Sequence, residues 1–367
     1  MKYRLFLALV VGVLVSFLIL FRVSATPSAP ILSATAAAET ETSEAPLREL
    51  AQKRGIGIGT SVDMGPFWND ANYRKVLARE FKILVPENAW KFEFVHPTRD
   101  RYDFSQVETL IKFAQDNNME VRGHPLVWHY SLPKWINEGN FSRDELIKIL
   151  ETHVKTVVGR YRGQIPTWDV VNEAINRDGS LRDTIWLRNI GPEYIDMAFQ
   201  WAHEADPQAK LFYGEYMTEE INQKSDGVYT LVSGLLQRGV PINGVGFQSH
   251  LGLSYLPRLD SLRKNFDRFN QLGLEVQFTE LDMKIQDGKG SLEKRLAEQA
   301  KAYRDLLQAC LQAKKCTALI TWGFTDRYTW IADVTGEVEA PLIFDPSYHR
   351  KPAYNAIKEL LSSNGNG

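Results

Sequence analysis

A chain of 367 residues with 44% hydrophobic and 24% charged side chains lies inside the globular range and is long enough for one large domain or two ordinary ones. Its 43 basic and 45 acidic residues leave a formal net charge of -2 with no long run of one sign, which argues against nucleic acid or an anionic lipid surface as partner. A neutral partner is expected; nine Trp and fourteen Tyr residues suit sugar-ring stacking and an ordinary core equally well.

At the N-terminus, Lys2 and Arg4 precede an uncharged apolar run from Leu5 to Phe21 that is closed by Arg22. Residues 1–25 therefore read as a signal peptide or signal anchor. Cleavage near Ala25 or Ala36 is expected ahead of retention, and the alternative is a membrane tether through residues 5–21. Either way the protein is exported, as a secreted, periplasmic or membrane-anchored species. Residues 26–46 are Ala, Thr, Ser, Pro and Glu with almost no large apolar side chain, the composition of a flexible linker.

From residue 47 to 362, short β-branched or aromatic runs alternate with longer stretches of helical period, the pattern of repeated βα units. The eight runs are Gly55–Val62, Ile83–Glu87, Glu120–Trp128, Thr167–Asn172, Lys210–Tyr216, Gly244–Ser249, Glu275–Thr279 and Ala318–Phe324. Amphipathic helices are expected between them, among them Phe104–Asn117, Ser142–Tyr161, Pro192–Ala205, Ser225–Arg238 and Ser291–Gln312. Eight repeats without a glycine-rich dinucleotide or phosphate loop after the first strand predict an α/β fold, a single (β/α)8 TIM barrel. Residues 363–367 form a polar tail expected to fray. The two cysteines, Cys310 and Cys316, leave two readings open, one local bridge or a pair of free buried thiols.

A barrel of this kind builds its site at the C-terminal ends of its strands. Polar and aromatic residues recur there: Glu87 and Asn88, His124 and Trp128, Asn172 and Glu173, Tyr216, Gln248 and His250, Glu280 and Asp282, and Trp322. One such residue alone is ordinarily a cap or a solvent-facing group; recurrence at one end of six or more strands points to a site. Glu173 and Glu280 each directly follow an apolar strand. Two carboxyls of different proton affinity are what glycosidic cleavage requires, one to protonate the leaving oxygen and one to attack the anomeric carbon or activate water. His250 and Asp282 are placed to relay a hydrogen bond to Glu280 and favour its charged form. Zinc is the competing chemistry for His124, His129, His250 and Asp282, but no His-x-His or His-Glu-x-x-His spacing occurs, and no metal or cofactor is expected. Gly-x-Ser-x-Gly is also absent.

The motifs Arg122-Gly123-His124 with Leu126-Val127-Trp128-His129, Trp168-Asp169-Val170-Val171-Asn172-Glu173, Gln248-Ser249-His250-Leu251 and Thr279-Glu280-Leu281-Asp282 resemble glycoside hydrolase family 10, as do Pro86-Glu87-Asn88 and Lys351-Pro352-Ala353-Tyr354. The resemblance runs from about Leu47 to Leu361. It implies an endo-β-1,4-xylanase acting on xylan with net retention, with Glu173 as acid/base and Glu280 as nucleophile. It further implies that Asn172, Lys91 and His124 hold the sugar at the cleavage point, that Glu87 and Asn88 bind the next sugar, and that Trp322 and Trp330 pack over those rings. Trp128 joins the substrate-binding set, Gln248 stands beside the acid/base, His250 beside the nucleophile, and Tyr216 under the leaving-group sugar. The Cys310 to Cys316 spacing resembles a disulfide of some members, and a monomer is expected. Departures fall at Gly214-Glu215-Tyr216-Met217, where the family usually has Asn-Asp-Tyr-Asn, at Ser131, where a Gln is common, and at Trp90 and Phe92 around Lys91. Two other functions remain in play: the same machinery on a β-1,4-glucan or mixed-linkage polymer, and a polysaccharide-binding protein on an inactive barrel.

Overall fold

The computed structural model describes residues 44–336 and 339–363. The proposed export segment, the linker up to residue 43 and residues 364–367 of the tail lie outside the described residues.

The described residues form nine strands: β1 Gly57–Val62, β2 Ile83–Pro86, β3 Glu120–Gly123, β4 Thr167–Asn172, β5 Lys210–Glu215, β6 Gly244–Phe247, β7 His250–Gly252, β8 Glu275–Lys284 and β9 Cys316–Thr321. Eight of them close a parallel ring in the order β1, β2, β3, β4, β5, β6, β8, β9, with β6 pairing β8 and β9 pairing β1. β7 is an addition that pairs with the far end of β8, His250 opposite Asp282. The ring is the expected TIM barrel, with a helix in each major crossover.

Local chemistry explains where the strands stop. Run three was expected to continue to Trp128, yet β3 ends at Gly123, because Pro125 has no N–H for the ladder. Pairing resumes beyond it as a single Val127–Val171 bridge, which keeps Trp128 on the barrel mouth. Run seven was expected to end at Thr279, but β8 continues to Lys284 because β7 gives its extension a partner. Helix Arg143–Arg160 starts at a capping box in which Ser142 and Glu145 satisfy each other's backbone N–H groups. Helix Leu292–Gln312 starts at Ser291, whose side chain accepts from Lys294 N.

Most of the core lies between strands and helices, around Trp168, Phe199, Phe247, Phe266 and Tyr303. A smaller cluster of Val85, Ala318, Ile320 and Trp322 fills another part of the barrel, with Trp330 packed against it. Close packing dictates Gly123, where an added Cβ would lie 2.0 Å from the Trp168 ring. Cys310 and Cys316 are joined in a disulfide with their Cα atoms 5.1 Å apart, tying the end of helix Leu292–Gln312 to the start of β9.

Candidate active site

A cleft of about 650 Å³ opens at the C-terminal ends of the strands and is lined by both Glu173 and Glu280. β4 and β8, which carry them, are three strands apart around the ring, so the two carboxyls enter the cleft from different sides.

Glu280 is buried, with Oε2 3.2 Å from His250 Nε2 and Oε1 3.7 Å from His124 Nε2. The other His250 nitrogen, Nδ1, is 2.8 Å from Asp282 Oδ2, and that oxygen also accepts from Trp330 Nε1 at 2.8 Å. Burial alone would lower the His250 pKa, but the Asp282 charge and the hydrogen bonds to Asp282 and Glu280 outweigh it and raise the ring well above its usual value. Both ring nitrogens thus lie within hydrogen-bond reach of a carboxyl oxygen, a geometry that suits the protonated ring, which can donate from both. A donor aimed at a carboxyl oxygen stabilises negative charge there, which is what a nucleophile requires.

Glu173 sits in the left-handed region at φ 59°, one residue past β4. Such a conformation costs a residue bearing a Cβ roughly 1–3 kcal/mol and persists only where the surroundings over-determine it. Here Glu173 N donates to Gly214 O at 2.9 Å and Arg182 Nε donates to Glu173 O at 2.7 Å. The side chain meets a neutral partner: Gln248 Nε2 donates to Glu173 Oε1 at 3.0 Å and to Asn172 Oδ1 at 3.2 Å. The two glutamates thus stand in unlike environments, one against an imidazole and one against an amide.

On the side of β2, β3 and β9, Lys91, His124, Trp128, Trp322 and Trp330 line the cleft. Lys91 Nζ donates to Asn88 Oδ1 at 2.6 Å and stands 5.3 Å from the Trp128 ring centre. Burial lowers the Lys91 pKa against the opposing charge of Glu87 and, more weakly, Glu280. Glu87 and Asn88 are not among the residues lining this cavity, but both interact with Lys91, which is. The Trp128 indole N–H is buried with no hydrogen-bond partner among the described residues.

Asp169 orients His124, accepting at 2.9 Å from Nδ1. Arg122 clamps the same carboxylate through Nε at 2.8 Å and Nη2 at 2.5 Å, and its Nη1 donates to Gln277 Oε1 at 2.6 Å. Burial pushes Asp169 up, but the Arg122 charge and the hydrogen bonds from His124 and Arg122 prevail and bring it down to about 2. An ionised Asp169 makes Nδ1 the protonated nitrogen of His124 and leaves Nε2 toward the cleft.

On the side of β5, Tyr216 lines the cleft and its hydroxyl accepts from Arg182 Nη2 at 2.9 Å. Lys224 Nζ lies 3.1 Å from the centre of the Tyr216 ring and 2.8 Å from Glu215 Oε1. Two of the sequence departures at this strand end, Gly214 and Glu215, gain a physical setting. A Cβ at Gly214 would fall 2.5 Å from Asn172 Oδ1, so an Asn there would force Asn172 to turn away. Glu215 is fully buried beneath the cleft wall, holding Lys224, the Tyr213 hydroxyl and the Ile175 N–H.

The residues expected at the site thus gather on one cleft, except Asp282, Glu87 and Asn88, which do not line it but interact with residues that do. Tyr130, Arg177, Met217 and Lys284 also line it; of these the sequence marks Met217 alone, as a departure from the family pattern. Three of these lie on irregular loops and Lys284 ends the unforeseen extension of β8, so no periodic signal marked them. Asp169 had a readable signal, a carboxylate inside the apolar run Trp-Asp-Val-Val. Among the described residues, no group of three or more His, Cys, Asp or Glu side chains is arranged to hold a metal ion.

The profile of Glycosyl hydrolase family 10 matches residues 46–360. Endo-1,4-beta-xylanase B of Thermotoga neapolitana is 46% identical over 324 residues, 87% of this chain and 92% of its own length. Xylanase 10B of Thermotoga petrophila RKU-1, solved in complex with xylobiose, superposes with a TM-score of 0.84 at 44% identity, covering 87% of this chain and 97% of that one. Native xylanase 10B of Thermotoga maritima gives 0.83 at 44% identity, covering 86% and 98%.

Proposed function

Because the chain belongs to glycosyl hydrolase family 10, we propose that it is an endo-1,4-β-xylanase that cleaves internal xylosidic bonds of xylan by double displacement. The observation that carries this reading is the pair of strand-end glutamates in one cleft, Glu280 against the His250 ring and Glu173 against the Gln248 amide.

In the first step a Glu280 oxygen attacks the anomeric carbon. The bond to the leaving oxygen breaks, and that oxygen takes the Glu173 proton. The sugar is left as an ester of Glu280. In the second step Glu173, now a carboxylate, takes a proton from water; the water oxygen attacks the anomeric carbon and releases Glu280. Two inversions give net retention. His250, held by Asp282, stabilises Glu280 whenever it carries charge, and Gln248 aims Glu173. Lys91, His124, Asn172 and Trp128 bind the sugar being attacked, Glu87 and Asn88 support the next one, Trp322 and Trp330 cover them, and Tyr216 carries the leaving-group sugar.

The reading includes export. The basic-then-apolar N-terminal segment supports it, as does the Cys310–Cys316 disulfide, a bond suited to an oxidising compartment. The protein acts as a secreted or periplasmic monomer, with residues 5–21 as the anchor if cleavage does not occur; cell fractionation and light scattering test both points. The activity is tested by incubation with xylan and with cello-oligomers, followed by product sizing. A ladder of xylo-oligomers is expected from xylan, and turnover confined to the glucan oligomers would overturn the substrate assignment.

A further inference from the structure

Ser249 is the joint between β6 and β7. The residue before it, Gln248, donates to Glu173, and the residue after it, His250, donates to Glu280. One backbone position therefore aims a partner at each catalytic carboxyl. That position holds φ at 64°, a conformation that residues with a Cβ rarely adopt. The surroundings must supply what makes it stable.

The group that does so is Glu219, on the loop after β5. Its Oε1 accepts from Ser249 N at 3.0 Å and from Ser249 Oγ at 3.2 Å. Glu219 is 2% exposed, and Ser249 is fully buried. The Glu219 backbone is itself pinned, because Asn265 Nδ2 on helix Leu259–Gln271 donates to Glu219 O at 3.1 Å and to Thr218 O at 2.7 Å. Ser249 O in turn accepts from Asp282 N at 3.4 Å, so the joint also touches the residue that anchors His250. A buried carboxyl is a costly way to satisfy one N–H and one hydroxyl, and burial does push the Glu219 carboxyl up. Glu219 does not line the cleft, so it has no direct work on a sugar.

We propose that Glu219 is a positioning residue for both halves of the reaction: by holding Ser249 in the left-handed conformation it keeps Gln248 on the acid/base and His250 on the nucleophile. The proposal rests on the assignment of Glu173 and Glu280 given above. It differs from a purely structural role in a checkable way. If the work of Glu219 is to hold a strained φ, then a residue that adopts this φ freely should replace it.

The test compares the wild-type chain with Glu219→Gln, Glu219→Ala and the double variant Glu219→Ala/Ser249→Gly, on xylan and on an aryl β-xylobioside. Glu219→Gln keeps an acceptor and should stay within about threefold of wild type. Glu219→Ala should lose about tenfold or more in kcat, the range for residues that orient a site from behind, with KM changed less than about twofold. Ser249→Gly in the same chain should recover most of that loss. The ring ¹⁵N signals of His250 should move in Glu219→Ala and return in the double variant. An unchanged kcat in folded Glu219→Ala, or a loss that Ser249→Gly does not relieve, would overturn the proposal. Should the alanine variant fail to fold, Glu219→Asp withdraws the carboxyl by one methylene and is read by the same two outcomes. A wild-type chain inactive on both substrates would instead overturn the assignment of the glutamates. The His250 signals then decide alone: movement on Glu219→Ala that Ser249→Gly reverses supports positioning, and identical signals or movement that Ser249→Gly leaves in place contradict it.

Discussion

The His250 imidazole stands 3.2 Å from Glu280 on one side and gives its other nitrogen to Asp282 at 2.8 Å. Its pKa is raised well above 6.5 in the fold, so the stability it contributes is fully present below the unfolded value and is lost as pH rises through the folded one. Replacing His250 by Gln should flatten the alkaline limb of the stability profile and lower kcat by about tenfold to a hundredfold. Urea unfolding between pH 6 and 10 and xylobioside kinetics check the two halves.

Asp169 behaves with the opposite sign. Its folded pKa of about 2 lies below that of a free carboxyl, so its contribution is present above the unfolded value and is lost as pH falls toward 2. Asp169→Asn leaves the Arg122 guanidinium buried without its charge partner, which should cost about 3–5 kcal/mol in a denaturant melt. The same change unlocks the His124 ring, so affinity for xylobiose should also fall.

For Glu173→Ala, hydrolysis of xylan should fall severely, while an aryl glycoside with a good leaving group should lose much less in glycosyl transfer to Glu280, since its departure needs little protonation. Equal losses on both substrates would argue against the acid/base role.

The Cys310–Cys316 bridge closes a short loop that contributes no residue to the cleft lining. Changing both cysteines to Ser should lower stability by about 2 kcal/mol, in keeping with the small loop, and leave kcat unaltered. Thermal melts with matched kinetics check this.

The barrel was legible because eight apolar runs recur with helical stretches between them, and the two glutamates because each follows such a run directly. β7 was not, since three residues are too few to show alternation and its existence depends on the extension of β8. The Arg122–Asp169–His124 clamp and its Gln277 prop were invisible as a unit. Their partners are 45 to 155 residues apart in the chain and meet only when the ring closes. Tyr130 and Arg177 reach the cleft from loops, where neither period nor propensity marks a side chain as facing a ligand. Glu219 next to Glu220 reads in sequence as an ordinary surface pair, yet the first is buried under Ser249.

The central claim, that Glu280 forms a covalent bond to the sugar, is tested most directly with an activated 2-deoxy-2-fluoro-β-xylobioside. Fluorine slows formation and breakdown of the glycosyl ester, and the activated leaving group restores formation alone, so the ester accumulates. Peptide mass analysis should place one fluorosugar on Glu280. A label on another residue, or full turnover to a product of inverted configuration with no label, would contradict the account.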